Sequence, residues 1–526
     1  MSSYTKEMGG RGWLGALARG RWWVSVLAVL LGAGVLTAAV TGLTDSDPRA
    51  VAVPPPRADV GVQVEAKALA QPINPGFVGL SLEYPAVLAY SGADPGAINP
   101  VFVQLIRNLA PNQRPVIRIG GDSTDSTWWP VTGGVRPAGV SYTLSPLWLT
   151  NTRALARSLD ARLILGVNLE VAQPTLALAE ARAFLAGIGR PTVEALEIGN
   201  EVNRYSTFPY YHAAPHHPVF GRPSGYDFGD FTAEFSALRK LLPPVPLAGP
   251  TVGGFQWLAP LRSFLAAEPS VRLVTFHRYP LDRCFSTKGS PLYPSVSALL
   301  STRTSRGLAA GLARYVAIAH SRGAIFRVDE MQSVACGGKR GVSNTFASAL
   351  WALNALFSMA AQGVDGVNVH TFPGASYGLF TFRRTGEQWS ASVRPEYYGL
   401  ALFAQAAPAG SRLLAVRTLG PAAVRAWATR GADGHLRVLL LNDDPRRGHV
   451  VAVSAPGVTG DATTERLTAP SAWATSGVTL GGRRFDPLTG ALSGPHRALR
   501  VPPYAGRHTV VLPAASAALV TLPATS

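Results

Sequence analysis

Cysteine, methionine and acidic residues are the scarce things in this chain. Its 526 residues hold two Cys, four Met, and 31 Asp and Glu against 48 Lys and Arg. Two cysteines exclude a disulfide-built scaffold and are too few to make a structural zinc site by themselves. No internal repeat is visible, which excludes a solenoid or propeller. No Gly-rich phosphate loop follows the first strand-like run, which argues against a doubly wound nucleotide-binding sheet. The 54 Gly and 42 Pro are spread along the chain and form no low-complexity block. The net charge of +17 invites a nucleic-acid partner. The basic residues are mostly scattered Arg, with no stripe of interleaved aromatics, so that reading is set aside. An acidic glycan or a membrane surface suits such a charge; a solvated basic surface without a specific partner suits it equally.

The length predicts two domains and a large core. Residues 1–21 form a basic tail with Lys6, Arg11, Arg19 and Arg21 against Glu7. Residues 22–44 carry no charge, and Trp22-Trp23 opens the run. About 20 apolar residues span a bilayer, so this run reads as a membrane anchor with its N-terminus inside. A cleaved signal peptide is the alternative, with Ala38 and Ala39 as small residues near a cut. Either way the rest of the chain is expected to be exported, anchored to the membrane or secreted. Residues 45–59, with Pro54-Pro55-Pro56, read as an extended linker.

From residue 60 to 410 a unit repeats in kind: an apolar run, a polar loop, a helical stretch. The runs are Gly76–Glu83, Val116–Gly121, Arg162–Glu170, Ala195–Glu201, Pro246–Gly253, Leu273–Tyr279, Ile325–Glu330 and Gly366–Thr371. Their continuous apolar character points to parallel strands buried on both faces. Seven Ala- and Leu-rich helical stretches lie among them, from Val101–Leu109 to Asn344–Ala361. Eight such strands predict an α/β fold, a (β/α)8 TIM barrel. Residues 411–526 change character. Short strand-like runs recur with turns such as Gly431–Gly434 and no helix between, which predicts a C-terminal β-sandwich. The alternating run 60–66 is expected to add a strand to that sandwich.

Function in such a barrel sits at the C-terminal ends of the strands. There the sequence places Glu83, Asp122, Asp125, Asn168, Glu170, Asn200, Glu201, His277, Tyr279, Glu330 and His370. Packing would not put polar groups so consistently at one end. Carboxyl groups at the ends of strands four and seven would face one another across the mouth. Such a pair can divide acid and nucleophile roles in cleaving a glycosidic bond.

Four stretches carry a resemblance: Phe77-Val-Gly-Leu-Ser-Leu-Glu83, Arg118-Ile-Gly-Gly-Asp-Ser-Thr-Asp125, Glu197-Ile-Gly-Asn-Glu-Val-Asn-Arg-Tyr205 and Asp329-Glu-Met-Gln-Ser-Val-Ala-Cys-Gly-Gly338. With Gly341–Trp351 they resemble glycoside hydrolase family 79, the β-glucuronidases and heparanases, within the retaining (β/α)8 glycosidase clan. The resemblance implies Glu201 as acid/base, Glu330 as nucleophile, Asn200 on the sugar 2-hydroxyl, and Tyr279 donating to Glu330. Glu83, Asp122 and Asp125 are candidates for sugar hydroxyls, and His277 for the same wall. A glucuronide carboxylate would be met by the Gly337 and Gly338 backbone or by Lys339; Ala335 stands where a Tyr hydroxyl would have helped. Trp128 and Trp129 are candidates for a flat sugar-binding face, or core aromatics. His212, His216 and His217 read as cleft lining, not a metal site, and no cofactor or metal is implied. In an oxidising compartment Cys284 and Cys336 are expected to pair, pinning the loop beside Glu330. The expected activity is hydrolysis of glucuronides or uronate-containing glycans. A same-clan enzyme for a neutral sugar and a non-catalytic surface carbohydrate-binding protein are the alternatives.

Overall fold

A computed structural model describes residues 54–523. The basic tail, the charge-free run 22–44 and the start of the linker lie outside the described residues. Among the described residues no helix is long and apolar enough to cross a membrane.

Eight parallel strands close into a barrel: Val78–Glu83, Val116–Gly120, Arg162–Val167, Val193–Ile198, Leu247–Val252, Val271–Arg278, Ile325–Met331 and Gly366–Thr371. They pair in chain order, and the eighth returns to the first through Val367 opposite Val78 and Val369 opposite Leu80. All eight match runs read from the sequence to within a few residues at their ends. Their outward side chains pack under helices and their inward ones fill the barrel, so both faces are dry.

The helices start where the sequence supplies caps. Asn99 accepts from the Val101 and Phe102 N–H groups ahead of Pro100–Leu109, and Ser145 accepts from Trp148 ahead of Pro146–Leu159. Asp227 and Asp230 form a reciprocal capping box at Phe228–Leu241.

The helix after the eighth strand, Pro395–Ala406, is not apparent in the sequence. It is rich in aromatics and carries Gly399 in its middle, both unfavourable to a helix in isolation. Packing supplies the reason for the glycine. A Cβ on Gly399 would stand 2.3 Å from the Ala349 carbonyl oxygen, so this helix can lie directly on Phe346–Ala361 only without one.

Those two helices separate the barrel from the C-terminal sheet. Eleven strands form one hydrogen-bonded sheet that curls around its own core. Alternation builds two apolar faces. Val424, Ala426 and Ala428 point into the sheet's core, while Trp427 stacks on Phe357 at 5.6 Å and donates to Asn354 Oδ1 at 3.0 Å. The strand Val60–Ala68 runs antiparallel to Arg412–Leu419 and parallel to His449–Ser454, with Val60, Val62 and Val64 buried. The chain thus enters through the C-terminal sheet before it builds the barrel.

Candidate active site

The inside of the barrel is layered. Val116, Ile164, Ala195, Ala248 and Leu273 form an apolar plug toward the strand N-termini. Two residues further along, the same strands carry Arg118, Glu197 and Thr275, all fully buried. Side chains alternate across a strand, so these are the next inward positions. Above them a cleft of about 800 Å³ opens at the strand C-termini, lined among others by Asp122, Asn200, Glu201, His277, Tyr279 and Glu330. That volume is in the range of small-ligand sites.

Arg118 organises the floor. Its guanidinium donates to Glu197 Oε2 at 2.7 Å, Glu330 Oε2 at 2.5 Å and Asn200 Oδ1 at 2.8 Å, and stands 3.2 Å from Asp329 Oδ2. An arginine can only donate, so the Asn200 atom facing it is the carbonyl oxygen. The Asn200 NH2 is thereby turned toward Asp122, 3.4 Å from Oδ1. Arg118 belongs to one of the four stretches that carry the family resemblance, but the resemblance assigns it no role. The available signal was an arginine inside the apolar run Val116-Ile-Arg-Ile-Gly120, a place where a charge stands only with partners.

Beneath Glu201 and Glu330, Glu197 and Asp329 form a fully buried acid pair. Burial and the Glu197 charge push the Asp329 carboxyl well up. Burial also acts on Glu197, but Arg118 and the hydrogen bond from Asp329 outweigh it and lower its pKa. Asp329 therefore holds the proton and Glu197 the charge.

Glu330 ends the seventh strand inside a cage of donors. Tyr279 Oη donates to Oε1 at 2.7 Å and Arg118 to Oε2; His277 Nδ1 lies 4.0 Å from Oε1 and His370 Nδ1 3.9 Å from Oε2. Burial alone would raise its pKa. The charges of His370, His277 and Arg118, with the Tyr279 hydroxyl, outweigh it and hold the carboxyl well below the usual range.

Glu201 is reached differently. The fourth strand ends at Ile198, and Gly199 at φ 75° and Glu201 at φ 46° turn the chain sharply into the cleft. A Cβ on Gly199 would meet Tyr205 Oη at 2.6 Å. A non-glycine residue in the left-handed region costs on the order of 1–3 kcal/mol and persists where its surroundings over-determine it. Here Asp125 Oδ2 accepts from the Asn200 N–H at 3.1 Å and from Tyr205 Oη at 2.7 Å, clamping the turn from below. The Glu201 carboxyl faces Arg204 Nε at 3.0 Å and His277 Nδ1 at 3.3 Å. One imidazole nitrogen thus lies within 4.0 Å of both carboxyl groups. Burial would lower the His277 pKa, but Glu330, Glu201 and Asp329 raise it to about 9, so it carries charge at neutral pH.

The remaining candidates separate. Asp122 is exposed to the cleft, and beyond its approach to the Asn200 NH2 its carboxyl is open to a ligand. Enclosure, then the charges of Glu83, Glu201 and Glu330, push it up to about 7; since the residue stays exposed, the neighbouring charges are the stronger cause. Glu83 lines the cleft but anchors the next loop, accepting from the Asp122 and Ser123 N–H groups at 3.2 and 2.8 Å, and lies 3.2 Å from His370.

Asp125 departs from the expectation that it holds sugar hydroxyls. Both its oxygens are spent on the Leu169, Glu170 and Asn200 N–H groups and on Tyr205, so it positions the Asn200–Glu201 turn. Lys339 also departs: its ammonium donates to the Pro294 carbonyl at 3.1 Å and lies over the Tyr293 ring, away from the cleft. Trp128 is buried against Val140 and Leu176 and donates to Thr143, so it is a core aromatic; Trp129 is partly buried against the main core. His212, His216 and His217 are exposed on the hairpin formed by Pro209–Ala213 and His217–Phe220.

Gly337 does line the cleft, and Cys336, Gly337 and Gly338 follow one another in the left-handed region. Cys336 is disulfide-bonded to Cys284, tying this loop to the one after the sixth strand. Glu170 joins the cleft wall from the third strand, with burial and the Asp125 charge pushing it up to about 9. It was visible in the sequence as one more polar strand end, with nothing there to single it out.

No protein-family model matches the chain, and comparison with curated proteins gives no match. Solved structures do match. A 4-O-α-L-rhamnosyl-β-D-glucuronidase from Fusarium oxysporum aligns with TM-score 0.65 and 19% identity, over 88% of this chain and 100% of that one. A family 51 arabinofuranosidase from Xanthomonas axonopodis pv. citri aligns with TM-score 0.64 and 16% identity, over 89% and 100%. An α-L-arabinofuranosidase from Thermotoga maritima aligns with TM-score 0.60 and 16% identity, over 88% and 99%. At such identities the likeness is one of fold, spanning barrel and C-terminal sheet together.

Proposed function

We propose that the chain is a retaining glycoside hydrolase acting on glucuronides or uronate-containing glycans. The observation that carries this is the pair Glu201 and Glu330 at the ends of the fourth and seventh strands. They share His277 as a neighbour yet are held in unlike environments. In the reaction the Glu330 carboxylate attacks the anomeric carbon while Glu201 gives its proton to the departing oxygen. Water then displaces Glu330, its proton passing to Glu201. Asn200, turned by Arg118, presents its NH2 to the sugar beside Asp122. The structural neighbours are glycosidases, and one of them is named for cleaving a glucuronide.

The uronate reading rests on the family 79 resemblance and on the left-handed run Cys336–Gly338. Gly337 lines the cleft, and its N–H has no protein acceptor among the described residues. With Lys339 turned away, recognition of a carboxylate falls to this backbone, a nest-like device that needs no side-chain cation. The turning of Lys339 away from the cleft also leaves room for the second reading, a neutral sugar, which the arabinofuranosidase neighbours suit. We further propose that the protein works outside the cytoplasm, where the Cys284–Cys336 disulfide is at home.

Two measurements test this. A panel of aryl glycosides should show turnover of the glucuronide alone; turnover of a neutral sugar selects the second reading, and none at all selects a binding protein. A 2-deoxy-2-fluoro glycoside of the accepted sugar should leave a covalent label on Glu330 by peptide mass spectrometry. A label on another residue, or inversion of the released sugar, would overturn the two-step mechanism.

A further inference from the structure

Glu330 and Asn200 account for the sugar side of the bond to be broken, but not for the group that leaves with the oxygen. That group must lie on the outer side of Glu201, because Glu201 protonates the oxygen that carries it. On that side stand two exposed aromatic side chains, Phe208 in the cleft lining and Phe285 packed against it. Phe208 follows the fourth strand and is 47% exposed; Phe285 follows the sixth and is 63% exposed. Single exposed aromatics are ordinary. These two come from separate loops and meet edge to face, with ring centroids 6.1 Å apart and planes at 83°.

Arg204 joins them to the chemistry. Its guanidinium carbon stands 5.6 Å from the Phe208 ring centre and 5.5 Å from that of Phe285, while its Nε lies 3.0 Å from Glu201 Oε2. The residues next to Phe208 offer it no competing polar group, while Asn203 and Gln256 line the cleft further along. Tyr210 Oη is spent on the Asp125 carbonyl, and Pro209 offers none. The Phe285 loop is held by the Phe285 N–H on Asp282 Oδ1 at 2.8 Å and by the disulfide from Cys284. A rigid hydrocarbon corner, electrostatically tied to the proton donor, suits a flat apolar group better than a sugar ring bristling with hydroxyls.

Resting on the glycosidase reading, we propose that Phe208, Phe285 and Arg204 form a leaving-group subsite for a planar apolar aglycone, so that the natural substrates are glycosides of aromatic or similarly flat alcohols. Contacts remote from the breaking bond of this kind raise kcat/KM when they hold the leaving group in line.

The test compares 2-phenylethyl and ethyl glycosides of whichever sugar the panel identifies. The two alcohols are alike in acidity and differ in the ring. Wild type should favour the phenylethyl glycoside by about tenfold or more in kcat/KM, and the Phe208→Ala/Phe285→Ala double variant should bring that ratio close to one. A wild-type ratio near one, a ratio kept by the double variant, or a disaccharide of the same sugar outrunning the phenylethyl glycoside would each overturn the subsite. If no glycoside is turned over, the glycosidase reading is what failed. Saturation-transfer NMR of 2-phenylethanol on the whole protein then decides the subsite by itself: transfer to the ring protons that is lost in the double variant supports it, and equal transfer overturns it.

Discussion

Glu330 and Glu201 stand on opposite walls of one cleft and are held in opposite ways. Glu330 is enclosed by Arg118, Tyr279, His277 and His370, a shell of hydrogen-bond donors and positive charge. Glu201 stands on a strained turn clamped from below by Asp125, and its carboxyl meets His277 and an Arg204 that is 37% exposed. In the proposed mechanism a closed cage keeps Glu330 ionised and fixed until it attacks. A more open seat gives Glu201 the access that the same mechanism needs for it to give up a proton and take it back. The shared His277 links the two, so a change at one seat is felt at the other.

The largest effect should come from removing the two carboxyl groups separately. Glu330→Gln is expected to lower kcat by about 10⁴-fold or more whatever the leaving group, as loss of a nucleophile does. Glu201→Gln should cost about 10²–10⁴-fold on an alkyl glycoside and far less on a dinitrophenyl glycoside, whose oxygen needs no proton. Equal losses on both substrates for Glu201→Gln would erase the distinction between the seats.

Next is the floor. Arg118→Met leaves the buried Glu197 charge without its partner, and breaking such a pair costs about 3–5 kcal/mol of stability. Denaturant titration would read it. A loss below about 1 kcal/mol would mean that the acids beneath Glu330 rearrange their protons without cost.

Smaller still is Tyr279→Phe. A hydrogen bond to a charged group is worth about 1.5–3 kcal/mol, roughly 10–100-fold in kcat/KM. Because the Tyr279 hydroxyl helps hold the Glu330 pKa down, its loss should also raise that pKa, so activity would fail at a higher pH on the acid side. A lowered rate with an unmoved acid limb would assign Tyr279 to substrate contact alone.

The smallest effect is on stability against pH. The His277 pKa is raised from 6.5 to about 9 in the folded protein. Its contribution is thus fully present below about 6.5 and lost as pH rises through about 9. The melting temperature should decline across that window, and His277→Gln should flatten the decline. A variant that tracks wild type across the window would show the imidazole to be neutral in its seat.

Much of this comparison was legible in the chain. The eight strands announced themselves as apolar runs because parallel strands buried on both faces leave no wet side to interrupt them. The Asn200-Glu201 and Glu330 positions stood out because a polar residue ending such a run has no packing reason to be there. Helix Pro395–Ala406 did not stand out, since its aromatics and Gly399 are explained by a neighbour distant in sequence. Lys339 suggested a cation for the substrate, but a flexible side chain goes to the nearest acceptor, and the Pro294 carbonyl with the Tyr293 ring provides one outside the cleft.

Asp125 shows the same boundary from the other side. Its place in the Arg118–Asp125 stretch marks it as part of the site, yet only the fold reveals that its two oxygens are already satisfied by backbone and by Tyr205.

The sequence by itself determined the periodicity of the elements, the number of barrel strands and which residues end them. These are local properties, set by the alternation of side chains along a strand and by what each residue prefers to bury. Tertiary structure alone decided which groups are free and which are spent: Asp122 open and Asp125 closed, Gly337 in the cleft and Lys339 outside it, Glu330 caged and Glu201 accessible. Those outcomes depend on distances between residues far apart in the chain, where a change of an ångström or two decides whether a hydrogen bond forms and whether a carboxyl keeps its charge.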